Sequence, residues 1–230
     1  MRILIFADLH ANLEALLALQ QVERKPDAVF FVGDAVGYGP DPLACTAWLK
    51  NNATVCVQGD HDAAAATGAD CACPEEWREV AHATRAMNRL LLPRPLLDYL
   101  GNLGAAQNVE FGGARFHMTH YMPDAPADTL TASEETLRHV FDKTRADVIL
   151  CGHTHIPALR RIGEHYFVNP GSLGQPRHGL PSCTYAVWDD GDLKIQHIDY
   201  NPRATIQKLS LMPLDPDSVA RLQETLRDGM

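Results

Sequence analysis

The sequence predicts an α/β fold, and three features of its 230 residues carry that prediction. Apolar runs alternate with helical patterns from the start of the chain. Those runs are continuous rather than alternating, as in parallel strands covered on both faces. Beyond Cys151 the texture changes to short strands and turns, which adds antiparallel strands. With 46% hydrophobic residues the chain can bury one sizeable core, so a single domain over 1–230 is expected.

Taken in order, Ile3 to Phe6 reads as a buried strand, and Asn12 as the N-cap of a helix carrying Leu13, Leu16 and Leu17. Ala28 to Val32 is a second strand, Asp41-Pro42 opens a helix through Trp48 and Leu49, and Thr54 to Val57 is a third strand. Pro74 begins a helix with Trp77, Val80, Ala81, Thr84 and Leu91 on one side. Val109 to Phe111 and Arg115 to Thr119 form a hairpin around Gly112-Gly113. Thr131 with Glu134 makes a capping box before Leu137, Val140 and Phe141, and Val148 to Cys151 is another buried strand. Short strands follow at Ala158 to Ile162, Tyr166 to Val168, Thr184 to Trp188 and Leu193 to Ile198. Ile206 to Met212 is a candidate cover for one end of the fold, and Asp215-Pro216 starts a last helix with Val219, Leu222 and Leu226.

A net charge of −9, from 20 Lys plus Arg against 29 Asp plus Glu, argues against stable nucleic-acid binding. It does not exclude a small phosphorylated substrate, because bound divalent cations would reverse the local field. No apolar run approaches membrane-spanning length and no leader precedes Ile3, so no membrane partner and a cytoplasmic location are expected. The six cysteines lack the spacing of a disulfide scaffold. Cys71-Ala72-Cys73 could be a thiol pair or a soft-metal site, though two ligands alone establish neither.

Four short stretches place Asp or His just past an apolar run: Asp8-Leu9-His10, Gly33-Asp34, Gly59-Asp60-His61-Asp62 and Gly152-His153-Thr154-His155. In an open α/β sheet such strand-end loops converge on one crevice. A locally extended backbone would turn residues i and i+2 of Asp-x-His and His-x-His to one side, toward one metal or two adjacent ones. Each motif is weak alone, since Gly-Asp is a common turn and a lone His is more often structural. Four in this order point to one site of oxygen and imidazole ligands.

With these motifs the sequence resembles the calcineurin-like metallophosphoesterase superfamily, whose series Asp-x-His, Gly-Asp, Gly-Asn-His-Asp/Glu, His and Gly-His-x-His it follows from Asp8 to His155. Through Asn169-Pro170-Gly171-Ser172 it is similar to the small bacterial and archaeal phosphodiesterase branch. The resemblance implies a four-layer α/β/β/α sandwich with mixed sheets and two divalent metal ions. Metal one would take Asp8, His10 and His155, metal two Asp60, His120 and His153, with Asp34 bridging. Sequence alone does not choose His120 over His117; the resemblance and the strand-end position select it. Two cations would screen the phosphodiester oxygens and activate a water for in-line attack. Manganese or iron suits the mixed donors first, with nickel, zinc or magnesium compatible.

By the same resemblance His61 would protonate the leaving alkoxide, and Asp62 would either orient it or cap the next helix. Arg177, Tyr38 and His178 lie on segments expected at the cleft rim, Arg177 as a fork for a second phosphate against its reading as a surface arginine. His82, His117, His139, His165 and His197 belong to no motif, and Trp77 and Trp188 suit packing positions. One residue departs from the pattern: Asp60 stands where the family has Asn, so it can ligate but not donate to a phosphate. Tyr121, where a small residue often follows the motif His, narrows the cleft. The expected function is a phosphoesterase, a phosphodiesterase rather than a protein phosphatase, acting on a small substrate that could be a nucleotide, diadenosine tetraphosphate included. The rival is a binding or scaffold protein that keeps the fold without turnover.

Overall fold

The computed structural model describes residues 1–121 and 132–230. Its strands form two five-stranded mixed sheets. In the first, β1 (Arg2–Phe6), β2 (Ala28–Phe31) and β3 (Val55–Cys56) run parallel, with Ile3 opposite Ala28 and Phe30 opposite Val55. The antiparallel pair β9 (Cys183–Asp189) and β10 (Asp192–Ile198) extends this sheet past β1. The second sheet runs β4 (Ala106–Phe111), β5 (Ala114–Thr119), β6 (Val148–Leu150), β8 (His165–Asn169), β7 (Ala158–Ile162). There β5, β6 and β8 are parallel, while β4 and β7 close the edges antiparallel.

Three apolar interfaces between these elements make four layers. Because successive strand residues face opposite ways, Ile3 and Ile5 of β1 and Phe30 of β2 meet Phe116 and Val148 between the sheets. Leu4, Phe6 and Phe31 face outward, onto Leu16 and Leu19 of α1 (Leu13–Val22), Leu49 of α2 (Pro42–Asn52) and Leu100 of α5 (Arg94–Gly101). On the far side Ile149 and Phe167 meet Leu137 and Phe141 of α6 (Glu134–Thr144). The α/β/β/α sandwich is therefore the observed architecture. Strands buried on both faces explain why their sequences read as unbroken apolar runs.

Asn12 caps α1, its side-chain oxygen accepting the Ala15 N–H at 3.1 Å. The helix expected from Pro74 begins as a 3-10 turn at Glu75–Trp77 and continues as α4 (Arg78–Leu91). The Thr131 half of the expected capping box lies outside the described residues, and Ser133 caps α6, its hydroxyl accepting the Thr136 N–H. The segment at Ile206 does cover one end. There α7 (Arg203–Leu209) and α8 (Pro216–Asp228) bring Leu209, Leu222 and Leu226 onto Tyr38 and Trp77. Lys208 pins α7 down through Glu14 at 2.6 Å and Asp41 at 2.7 Å. Among the described residues no helix is long and apolar enough to cross a membrane.

Candidate metal centre

The motif residues leave their strands in tight turns, not in the extended backbone that their i, i+2 spacing suggests. Asp8 (φ 52°), His10 (φ 45°), Asp34 (φ 63°), His153 (φ 71°) and His155 (φ 61°) all sit in the left-handed region. Such a conformation costs of order 1 kcal/mol or more per non-glycine residue and persists only where the surroundings impose it. Here the imposition is visible as hydrogen bonds: Asp8 N–H to Gly33 O at 2.9 Å, His10 N–H to Asp34 O at 3.0 Å, and Gly174 N–H to Asp8 O at 2.9 Å. Two glycines leave the room. A Cβ on Gly33 would lie 2.6 Å from the His120 ring, and one on Gly59 would lie 2.0 Å from Asp34 Oδ1.

These turns bring the seven side chains into one pocket. Asp34 Oδ2 lies 3.8 Å from His10 Nε2 and 3.2 Å from His120 Nε2, between the two halves. On one side Asp8 Oδ1 stands 3.5 Å from His155 Nε2 and 3.9 Å from His10 Nε2. On the other, Asp60 Oδ1 stands 3.3 Å from His120 Nε2 and 3.0 Å from His153 Nδ1. Asp8, His10, Asp34, His120 and His155 are buried. Asp8, His10 and His155 make one compact three-donor group, and Asp60, His120 and His153 make another.

Whether this pocket suits cations follows from its protons. His10, His120 and His155 each place Nδ1 on a backbone carbonyl: Val36 at 2.9 Å, Val32 at 2.7 Å and Gln175 at 2.6 Å. A carbonyl only accepts, so each Nδ1 carries hydrogen and each ring turns Nε2 into the pocket, where a neutral imidazole presents its lone pair. His10 Nε2 and His155 Nε2 face each other at 3.0 Å. Burial pushes His10 down to about 3 and His155 well down, with the Arg177 charge helping in both, so no proton sits between them. Two opposed lone pairs are a contact that a cation relieves.

On the other side burial works against charge on His120, but Asp34, Asp60 and Asp8 outweigh it and raise its pKa. His120 Nε2 is nevertheless buried and aligned with no acceptor. Burial and Asp34 push Asp8 up to about 7, while His120 and His153 oppose them. Burial also opposes ionisation of Asp60, yet the His120 and His153 imidazoles hold it well below the usual carboxylate range. Three carboxylates and three inward-facing Nε2 atoms fit divalent metal ions with mixed oxygen and nitrogen preferences, a cation taking the place of the proton on His120.

The neighbouring residues divide. His61 is buried beside the centre, its ring 5.0 Å from His10 and 4.5 Å from Tyr38, and its backbone N–H donates to Asp34 Oδ1 at 2.9 Å. Asp62 accepts from the N–H groups of Asp34 (2.9 Å), Ala35 (2.9 Å) and Gly59 (3.1 Å), so it ties α3 (Asp60–Thr67) to the Asp34 turn. Tyr38 is not at the rim but 2% exposed, packed behind His10 and His61. Arg177 stacks on Trp77 at 4.1 Å and Tyr38 at 5.4 Å, so it is held against aromatic rings rather than free on the surface. His178 packs edge-on against His197 at 6.0 Å, outside the ligand groups.

A cleft of about 530 Å³ opens on the Asp60 and His120 side. Tyr121, Ala105, Val140, His117, His139 and Lys143 line it. His117 and His139 carry no motif that could have announced them, because β5 and α6 bring them there only in the folded chain.

A mixed-sheet α/β/β/α sandwich with this His and Asp cluster at its strand ends defines the metallophosphoesterase class. The chain belongs to the calcineurin-like phosphoesterase superfamily, whose domain model matches residues 1–191. An uncharacterised protein of Methanocaldococcus jannaschii is 25% identical over 226 residues, covering 90% of this chain and 91% of that one. The crystal structure of a metallophosphoesterase from Sphaerobacter thermophilus superimposes with a TM-score of 0.79 at 27% identity, covering 96% of this chain and 98% of that one. Phosphodiesterase YfcE of Escherichia coli is 34% identical over 67 residues, which is 29% of this chain and 35% of that protein.

Proposed function

We propose that this metal-dependent phosphoesterase hydrolyses a small phosphodiester at a dinuclear centre. Asp8, His10 and His155 hold one divalent ion, Asp60, His120 and His153 the other, and Asp34 lies between. The carrying observation is the position of Asp34 Oδ2, within 3.8 Å of a ligand from each half. Family membership, the small phosphodiesterase relative and the donor set support the reading.

When bound there, divalent ions, manganese or iron in the first instance, would supply the Lewis acidity that screens phosphoryl oxygens and makes water a better nucleophile. The chain's own residues do the rest. The backbone carbonyls of Val32, Val36 and Gln175 fix three imidazoles with the lone pair inward. His61 protonates the leaving alkoxide oxygen. Asp62 keeps the Asp34 turn and the start of α3 in register. Arg177, pinned over Trp77, adds positive charge beside His10 and His155 and orients substrate anionic oxygens with Tyr38 behind it. The leaving group occupies the cleft along Tyr121 and Val140, which suits a nucleoside or an aryl alcohol better than a phosphorylated protein loop.

Bis(p-nitrophenyl) phosphate is the direct probe. Hydrolysis should require added divalent cation and fall by more than about 100-fold in Asp34→Ala, beyond the 10–100-fold typical of outer-shell partners. Activity surviving both chelation and that substitution refutes the assignment.

A further inference from the structure

The segment between α3 and the 3-10 turn places two thiols beside the candidate centre. Cys71 Sγ lies 3.0 Å from Cys73 Sγ, and no disulfide joins them. A Cys71 sulfur, a His61 ring nitrogen and an Asp60 carboxylate oxygen lie within 4.8 Å of one another. Between the thiols, the Ala72 N–H donates to Asp60 Oδ2 at 3.0 Å, so the loop is fastened to the same carboxylate. Both cysteines are half-buried against the Tyr38 and Trp77 cluster, which holds their side chains on the His61 side.

We propose that Cys71, Cys73 and His61, with Asp60 shared with the dinuclear centre, form an adjoining site for a soft d¹⁰ cation such as zinc or cadmium, and that filling it inhibits the enzyme. Two sulfurs, one nitrogen and one oxygen are a tetrahedral zinc-type donor set. With Zn–S of about 2.3 Å and Zn–N of about 2.0–2.1 Å, tetrahedral ligand atoms stand roughly 3.5–3.8 Å apart. The thiols must therefore open by less than about 1 Å. Binding forms two metal–sulfur bonds and releases two thiol protons to solvent. The hard oxygen and imidazole donors around Asp34 match manganese or iron, whereas thiolates select softer ions, so the two sites differ in preference. Inhibition rests on the reading above, since a His61 nitrogen that ligates a cation cannot protonate a leaving group.

Cadmium tests the proposal, because its thiolate bonds absorb in the ultraviolet. The manganese-loaded chain, kept reduced with a phosphine, is titrated with cadmium while absorbance and bis(p-nitrophenyl) phosphate hydrolysis are followed together. A saturable charge-transfer band at one cadmium per chain, with hydrolysis falling in step, is expected. In Cys71→Ser/Cys73→Ser the band disappears and the ratio of rates with and without cadmium rises toward one. No band in the wild type, or an undiminished band in the double variant, overturns the site. Equal inhibition of both proteins overturns the coupling to activity. Asp34→Ala keeps the band in any case, so a chain that binds cadmium here but never turns over would count against the phosphoesterase reading alone.

Discussion

Asp60 holds the centre from two directions, with Oδ1 3.0 Å from His153 Nδ1 and Oδ2 accepting the Ala72 N–H at 3.0 Å. An asparagine there could offer its oxygen to a metal, but its amide hydrogens would then face the Ala72 N–H. Asp60→Asn is expected to lose about 1 kcal/mol of stability, read as a lower midpoint in urea. It should also bind the second cation roughly tenfold more weakly, while turnover at saturating metal rises as one negative charge leaves the phosphate's path. Unchanged rate and metal dependence would show that Asp60 is not a ligand. Gly59→Ala pushes a methyl into Asp34, and should cost at least about 1–3 kcal/mol and abolish metal-dependent hydrolysis. Six of the seven clustered residues were legible because each sits just past an apolar run, whereas His120 follows the mixed stretch Arg115 to Thr119 and was selected over His117 only with the family resemblance. Their left-handed backbone was not, since Asp8 and His10 are held there by bonds to Gly33, Asp34 and Gly174, and His153 by its N–H to the Asp8 carboxylate, all distant in sequence.

At the scale of elements, β1, β2 and β6 were legible because burial on both faces leaves no polar residue in them after Arg2, which opens β1. Helix α5 and part of β4 escaped, and α7 was expected only as a covering segment. In α5, Pro93 stands at the N-cap and Pro95 in the first turn of an eight-residue helix whose buried positions amount to Leu96 and Leu100. The first half of β4, Ala106 to Asn108, is an exposed edge with no apolar alternation. Leu100 is fully buried among Phe31 and Leu49, so Leu100→Ala should cost about 2–5 kcal/mol if α5 completes the outer layer. A cost near zero in chemical denaturation would mean α5 packs elsewhere. The helical cap is likewise testable through Trp77, whose ring supports Arg177 at 4.1 Å and Arg221 at 4.3 Å. Trp77→Ala should raise the KM for phosphodiester several-fold more than it lowers kcat, because it frees Arg177 without touching a ligand; a pure kcat defect would contradict that.

Across the whole molecule, three apolar interfaces fix two sheets so that loops from both meet at one end, Asp8, Asp34 and Asp60 from the first and His120, His153 and His155 from the second. Three buried or half-buried carboxylates repel one another in a chain already at −9, so cations that bind only the folded state should stabilise it. At about 100 times the dissociation constant the gain is about 2.7 kcal/mol, and chelation should lower Tm accordingly. The central claim is that the two halves of this pocket each hold a cation with Asp34 between. Anomalous scattering from crystals of the manganese-loaded chain tests it most directly. Two peaks about 3.5–4 Å apart, on either side of the Asp34 carboxylate, are the result this account requires. Manganese bound elsewhere, or no manganese among these seven side chains, would contradict it.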